Sequence, residues 1–152
     1  MNHFVYNMPL GRLTISADEY AIKQVLFGAV DLASPKRPSA LTNEAATQLQ
    51  EYFAGKRRAF TVAVNPDGTE FQKAVWTQLQ RIPYGETWSY AQVAEAVGNP
   101  KGFRAVGMAN NKNPIPILIP CHRVVGAHGN LVGYAAGLKI KEYLLKLEAE
   151  HA

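Results

Sequence analysis

The chain has 152 residues, 47% of them hydrophobic and 18% charged, with a formal net charge of +4. It is long enough to bury a core as one domain or two small ones, and too apolar for a disordered chain. A single cysteine excludes an internal disulfide and a cysteine-rich zinc site, and no apolar stretch approaches the length of a membrane span.

The positive balance favours a polyanionic partner without identifying one. His3, His122, His128 and His151 show no metal-ligand spacing. The opening MNHFVYNMPLG lacks the basic segment, apolar core and cleavage site of a signal peptide. With one free thiol, this points to a reducing, cytoplasmic setting.

In chain order, Phe4 and Tyr6, then Leu13 and Ile15, then Ile22 and Val25-Leu26-Phe27 predict three strands. Met8-Pro9-Leu10-Gly11 and Asp18-Glu19 are the turns of an antiparallel meander. Residues 34–39 read as an exposed loop. A helix over about 42–54 follows, with Ala45, Leu49, Tyr52 and Phe53 on one face and Gly55 as its stop. Residues 60–64 are either a short strand or an extended linker. Asn65-Pro66-Asp67-Gly68 is the expected boundary between a small α/β supporting domain, 1–65, and a second domain, 66–152.

Beyond it, Thr69 and Gln72 form a capping-box pattern that opens a helix over about 70–81, with Phe71, Val75, Leu79 and Ile82 along one stripe. Ser89 and Gln92 form a second, opening a helix that ends at Gly98. A third helix over 103–111 completes a pair joined by a glycine-containing turn, which suggests helix-turn-helix geometry. Its small residues Ala105, Gly107 and Ala109 suit either close helix packing or close approach to DNA, with Arg104 as the probing side chain. A last helix over about 138–148 places Ile140, Tyr143, Leu144 and Leu147 on its core face. Lys141 and Glu148 lie seven positions apart, and solvation is the default for both charges.

The stretch 113–125, NPIPILIPCHRVV, sets Cys121 between Pro120 and the pair His122-Arg123. A thiol becomes a good nucleophile when positive charge or a nearby base stabilises its thiolate. On these residues alone a structural, buried cysteine is the default. Contact with His122, backed by a carboxylate such as Glu148, would instead make a Cys-His-acid relay.

Further segments extend the pattern: Gly129-Asn130-Leu131-Val132-Gly133-Tyr134 and 137–145 after the cysteine, and 82–87, Ser89-Tyr90 and Arg104-Ala105-Val106-Gly107 before it. In order and spacing the set resembles the O6-alkylguanine-DNA alkyltransferases, also called methylated-DNA–protein-cysteine methyltransferases. The resemblance covers about 71–148; the first third agrees only in its strand pattern and its PLG turn.

The resemblance implies a ribonuclease H-like domain (a small antiparallel sheet plus helix), then a mostly α, winged-helix-like domain with a helix-turn-helix. It implies DNA repair by direct reversal, in which a single-turnover enzyme without cofactor or metal moves the alkyl group of O6-alkylguanine, and of O4-alkylthymine, irreversibly onto Cys121. His122 would draw the thiol proton through a water, backed by Glu148, while Asn113 braces the loop and Tyr90 donates a proton to the leaving guanine. The nucleotide must be flipped out of the duplex. Arg104 would fill its place from the minor groove, with Ala105, Gly107 and Tyr90 also at the DNA. Tyr134 would wall the pocket, backbone groups at Val124 and Ala135 would contact the base, and Lys141 would lie nearby. The partner would be double-stranded DNA bound by a monomer, away from membranes. Ala135 lacks the hydroxyl found in some relatives, which puts tolerance of bulky alkyl groups in question. A binding-only lesion sensor of the alkyltransferase-like type, and a cysteine hydrolase, are the competing readings; the presence of Cys121 argues against the sensor.

Overall fold

A computed structural model describes every residue, Met1–Ala152. The chain divides into two compact units, Met1–Asp67 and Gly68–Ala152.

In the first unit, β1 (Asn2–Met8), β2 (Gly11–Ala17) and β3 (Ile22–Phe27) form an antiparallel meander in the order β1-β2-β3. The register pairs Phe4 with Ile15 and Leu13 with Phe27, so the alternating apolar positions of β2 enter the core, where Leu13 and Ile15 are fully buried. Helix α1 (Ala40–Phe53) covers the sheet with Ala45, Leu49, Tyr52 and Phe53. It begins two residues earlier than the sequence pattern suggests, because Ser39 belongs to its cap and not to a free loop. Thr42 N donates to Ser39 Oγ at 3.2 Å and Ser39 N to Thr42 Oγ1 at 2.8 Å. Residues 60–64 are an extended linker, bridged to β3 only between Ile22 and Val64. Buried Gln48 on α1 holds the linker, accepting from the amides of Thr61 and Val62 at 3.0 and 3.3 Å.

The second unit is mainly helical: α2 (Glu70–Leu79), α3 (Tyr90–Ala96), α4 (Phe103–Asn111) and α5 (Leu138–His151). Two-residue strands β4 (Trp88–Ser89) and β5 (Val124–Val125) pair in parallel. Both capping boxes form, at Thr69/Gln72 and at Ser89/Gln92. Val75, Leu79 and Ile82 are buried as patterned, but the largest core side chain of α2 is Trp76, whose Nε1 donates to Ala109 O at 2.8 Å and ties α2 to α4. Ala109 itself is buried, which for this residue favours close helix packing over approach to DNA. Gly107 faces the Tyr90 ring, where an added Cβ would lie 3.7 Å away, so of the three small residues Ala105 is the one left exposed. The outer face of α4 carries Arg104 with two large apolar side chains, Phe103 and Met108.

Helix α5 departs most from expectation. It runs to His151, and its buried residues are Lys141, Leu144, Leu147 and Glu148, while Tyr143 is 40% exposed. The two charges for which solvation is the default from periodicity lie in the core, with Glu148 on His122. No helix is long and apolar enough to cross a membrane.

Candidate active site

The approach to Cys121 is built from tight turns. Prolines at 114, 116 and 120 fix φ and remove three backbone donors from a segment that has no neighbouring strand to satisfy them. Leu118 N donates to Pro116 O at 2.9 Å across Ile117, whose φ is +73° although it is β-branched and fully buried. Such a γ-turn is a strained one, costing about 1–3 kcal/mol. Burial of Ile115, Ile117 and Ile119, each with no exposed surface, offsets that cost at about 1.5–3 kcal/mol per side chain. A second i-to-i+2 bond, Cys121 N to Ile119 O at 2.8 Å, spans Pro120 and delivers the cysteine to the start of a short 3-10 turn, Cys121–Arg123.

Asn113 ties both ends of this segment together: its Oδ1 accepts from Ile115 N at 2.9 Å and its Nδ2 donates to Ile119 O at 2.8 Å. Asn110, which the sequence reading did not single out, lies on the buried face of α4 and donates to Cys121 O at 3.3 Å. Its position one helical turn after the apolar Val106 was the available signal.

Cys121 is buried, and that burial pushes its thiol up to about 11, with Asn113, Lys141 and Tyr134 pulling weakly the other way. His122 is fully buried. Its Nε2 lies 2.6 Å from Glu148 Oε2, and its Nδ1 is buried without a partner. Burial would lift the Glu148 carboxyl, but hydrogen bonds from His122 and Arg123 outweigh it and hold the group at about 2. Burial shifts His122 downward, favouring the neutral ring. An ionised carboxylate at Nε2 assigns the single ring proton to that nitrogen, leaving Nδ1 with its lone pair. Arg123 donates to Glu148 through Nε at 2.8 Å and Nη2 at 3.0 Å, and through Nη1 to Ile82 O at 2.8 Å.

Lys141 is the other buried cation. Its Nζ donates to Val124 O at 2.5 Å and to Val132 O at 2.8 Å, joining β5 to the 126–137 loop. Burial lowers it to about 8, with the Cys121 charge acting in the opposite direction; near neutral pH it stays mainly cationic. Tyr90 Oη donates to the same Val132 carbonyl at 3.1 Å. The loop approaches this hydroxyl so closely that a Cβ at Gly133, where φ is +58°, would sit 3.1 Å from it; glycine is favoured there. The Tyr134 hydroxyl is buried beside the thiol, and burial first, then Cys121, drive its pKa upward.

Cys121, His122, Glu148, Asn113, Lys141, Val124, Tyr90 and Tyr134 thus belong to one connected cluster. Arg104, Ala105 and Ala135 are exposed and take no part in the hydrogen bonds around the thiol. Chemically, the cluster offers a protonated thiol, a neutral base with a free nitrogen, and a nearby cation.

A small sheet-and-helix unit followed by a helical unit that buries such a thiol defines a cysteine-centred protein of the helix-turn-helix class. Residues 70–150 match the family model "6-O-methylguanine DNA methyltransferase, DNA binding domain", and residues 1–66 match "6-O-methylguanine DNA methyltransferase, ribonuclease-like domain"; the chain belongs to this family. It is 49% identical over 153 residues to a methylated-DNA–protein-cysteine methyltransferase of Methanosarcina acetivorans, covering 97% of this chain and 98% of that one. To the constitutive methylated-DNA–protein-cysteine methyltransferase of Bacillus subtilis it is 44% identical over 158 residues, covering 97% and 96%. Among solved structures, Mycobacterium tuberculosis OGT in complex with DNA superposes with a TM-score of 0.93 at 40% identity, covering all of this chain and 95% of that one.

Proposed function

We infer that the protein repairs alkylated DNA by direct reversal, moving the alkyl group from O6 of guanine onto Cys121 once per molecule. The observation that carries this reading is the unpartnered Nδ1 of buried His122, one residue from the only thiol and backed by an ionised Glu148. A thiol held near 11 is protonated at neutral pH, so it needs a base at the moment of attack. His122 Nδ1 takes the proton through a bridging water. Sγ then forms its bond to the alkyl carbon as the carbon–O6 bond breaks, and the electron pair leaves with the guanine. Tyr90, kept protonated by burial and then by the Cys121 charge, donates to the departing base, where negative charge develops. The positive charge of Lys141 favours the transient thiolate. The thioether that results is stable, which ends the activity of that molecule.

The substrate nucleotide, O6-alkylguanine or O4-alkylthymine in double-stranded DNA, is extruded into the pocket. Tyr134 walls the pocket, and the backbone at Val124 and Ala135 contacts the base. Arg104 enters from the minor groove and occupies the vacated stack, with Ala105 at the groove and Gly107, half-buried against Tyr90, behind it. The protein acts as a monomer in the cytoplasm, where its thiol stays reduced. The test is intact-mass measurement after mixing with an O6-methylguanine duplex. One methyl should appear on the Cys121 peptide, with repair capped at one lesion per protein. Continued turnover, or methyl on another residue, overturns the reading.

A further inference from the structure

Arg123 touches neither the thiol nor the expected substrate position, yet its guanidinium is fully committed inside the core. It is 6% exposed, forks onto both oxygens of Glu148, reaches Ile82 O, and lies 5.7 Å from the centre of the Tyr84 ring. Glu148 Oε2 therefore accepts from both Arg123 Nη2 and His122 Nε2, while Gly85 N donates to Oε1 at 3.2 Å. One buried carboxylate serves a permanent cation and a base that must remain uncharged.

If Glu148 faced His122 alone, its whole negative charge would act on the imidazole. In a buried site that stabilises imidazolium, the form in which both ring nitrogens carry protons and neither can accept one. A guanidinium stays ionised at every relevant pH and matches a carboxylate with two parallel donors. We propose that Arg123 is a positioning residue for alkyl transfer: by sharing Glu148 it keeps His122 neutral, with Nδ1 open to the thiol proton, through the neutral and mildly acidic range. This rests on the alkyl-transfer reading above.

The charged groups facing His122 are Glu148 and Lys141 from α5 and Arg123 from its own turn. From α2, packed against the same turn, the buried face is Val75, Trp76 and Leu79. Burial is the largest influence and favours the neutral ring, Glu148 opposes it, and Arg123 and Lys141 reinforce it. Removing the Arg123 charge leaves Glu148 opposed by one fewer cation, so the ring's midpoint must rise.

Two measurements test this. The first is the NMR titration of the His122 ring, assigned by loss of its signal in His122→Gln. Arg123→Gln should raise the midpoint by about 1–2 pH units, and Arg123→Lys, which keeps the charge, should restore most of the shift. The second is the rate of methyl transfer from O6-methylguanine DNA against pH. The acid limb of Arg123→Gln should move up with the ring, so that its rate at pH 6 falls about tenfold below its own value at pH 8 while the native protein stays nearly flat. An unmoved midpoint with an equal rate loss at every pH would mean a structural role only, and overturns the proposal. If Arg123→Gln does not fold, Arg123→Met/Glu148→Gln leaves neither partner charged. It should titrate no higher than the native ring, and a raised midpoint there overturns the charge account. Failure of the native protein to transfer methyl would sink the functional reading instead, and the NMR arm is independent of it.

Discussion

Two buried histidines, one in each unit, show how differently the halves of the chain use polar groups. His3 in β1 has both ring nitrogens engaged, Nδ1 with Ser34 Oγ at 2.9 Å and Nε2 with the Leu32 amide at 3.4 Å. His122 has one nitrogen on a carboxylate and the other on nothing. The other buried polar residues of the first unit are Thr14, Ser16, Thr42 and Gln48; those of the second are Asn110, Arg123, Lys141 and Glu148. The backbone follows the same division. In Met1–Asp67 positive φ falls only on glycines, Gly11, Gly28 and Gly55, whereas the second unit forces Ile117 and His128 there. Burial alone does not mark a reactive site. Buried charge, an unfilled basic nitrogen and retained strain together do, because each is costly unless something requires it.

The largest expected effect breaks the comparison at its centre. Cys121→Ala should abolish methyl transfer, read by intact mass, while DNA binding in a gel-shift assay stays within about twofold. Any residual transfer would remove Cys121 as acceptor. Glu148→Gln comes next. It strips the countercharge from a buried guanidinium, and should cost about 3–5 kcal/mol in urea unfolding. Because the Glu148 carboxyl is held at about 2, below its ordinary 4.5, its contribution is present in full above pH 4.5 and is lost as pH falls towards 2. Stability of the native protein should drop across that window, and Glu148→Gln should flatten this part of the profile. An unchanged acid slope would mean that the carboxylate is not the group responsible.

That carboxylate also marks the limit of what the sequence discloses. Local signals were legible: the alternation of β1 to β3, the boxes at Thr69/Gln72 and Ser89/Gln92, and the span of α4 all depend on residues within one turn of one another. The cap at Ser39 was missed because Thr42, not Glu or Gln, completes its box. The face of α5 was misread for a deeper reason. Hydropathy places Ile140 and Tyr143 inside and Lys141 and Glu148 outside, but the partners of those charges are the carbonyls of Val124 and Val132 and the Arg123 fork, up to 25 residues away along the chain. A periodicity argument cannot see satisfaction supplied at that distance. Motif order named Cys121 and its neighbours; the free nitrogen on His122 and the sharing of Glu148 arise from contacts between residues far apart in the chain, which motif order does not carry.

The outer face of α4 offers a test of intermediate size. Arg104 is exposed and outside the thiol cluster, so Arg104→Ala should slow repair of duplex O6-methylguanine about tenfold or more while leaving reaction with the free base unchanged. Equal loss on both substrates would place its role in the pocket and not in the duplex. On the other side of the comparison, His3→Gln should cost about 1–2 kcal/mol, the price of one or two weakened internal hydrogen bonds, with no change in the transfer rate of the folded protein. A rate effect there would blur the division between the units.

The smallest effect is the most diagnostic, because its sign runs against habit. At an ordinary position Gly is less stable than Ala by about 0.5–1 kcal/mol, since its unfolded chain has more freedom to lose. Ile117 is held at φ +73°, a conformation that glycine adopts freely and alanine does not. Both Ile117→Ala and Ile117→Gly lose the buried side chain, at about 2–5 kcal/mol, but only the glycine sheds the strain. Ile117→Gly should therefore be the more stable of the two by about 1 kcal/mol in urea unfolding. If alanine proved more stable, the turn before Cys121 would carry no strain, and the backbone half of the contrast between the units would fall.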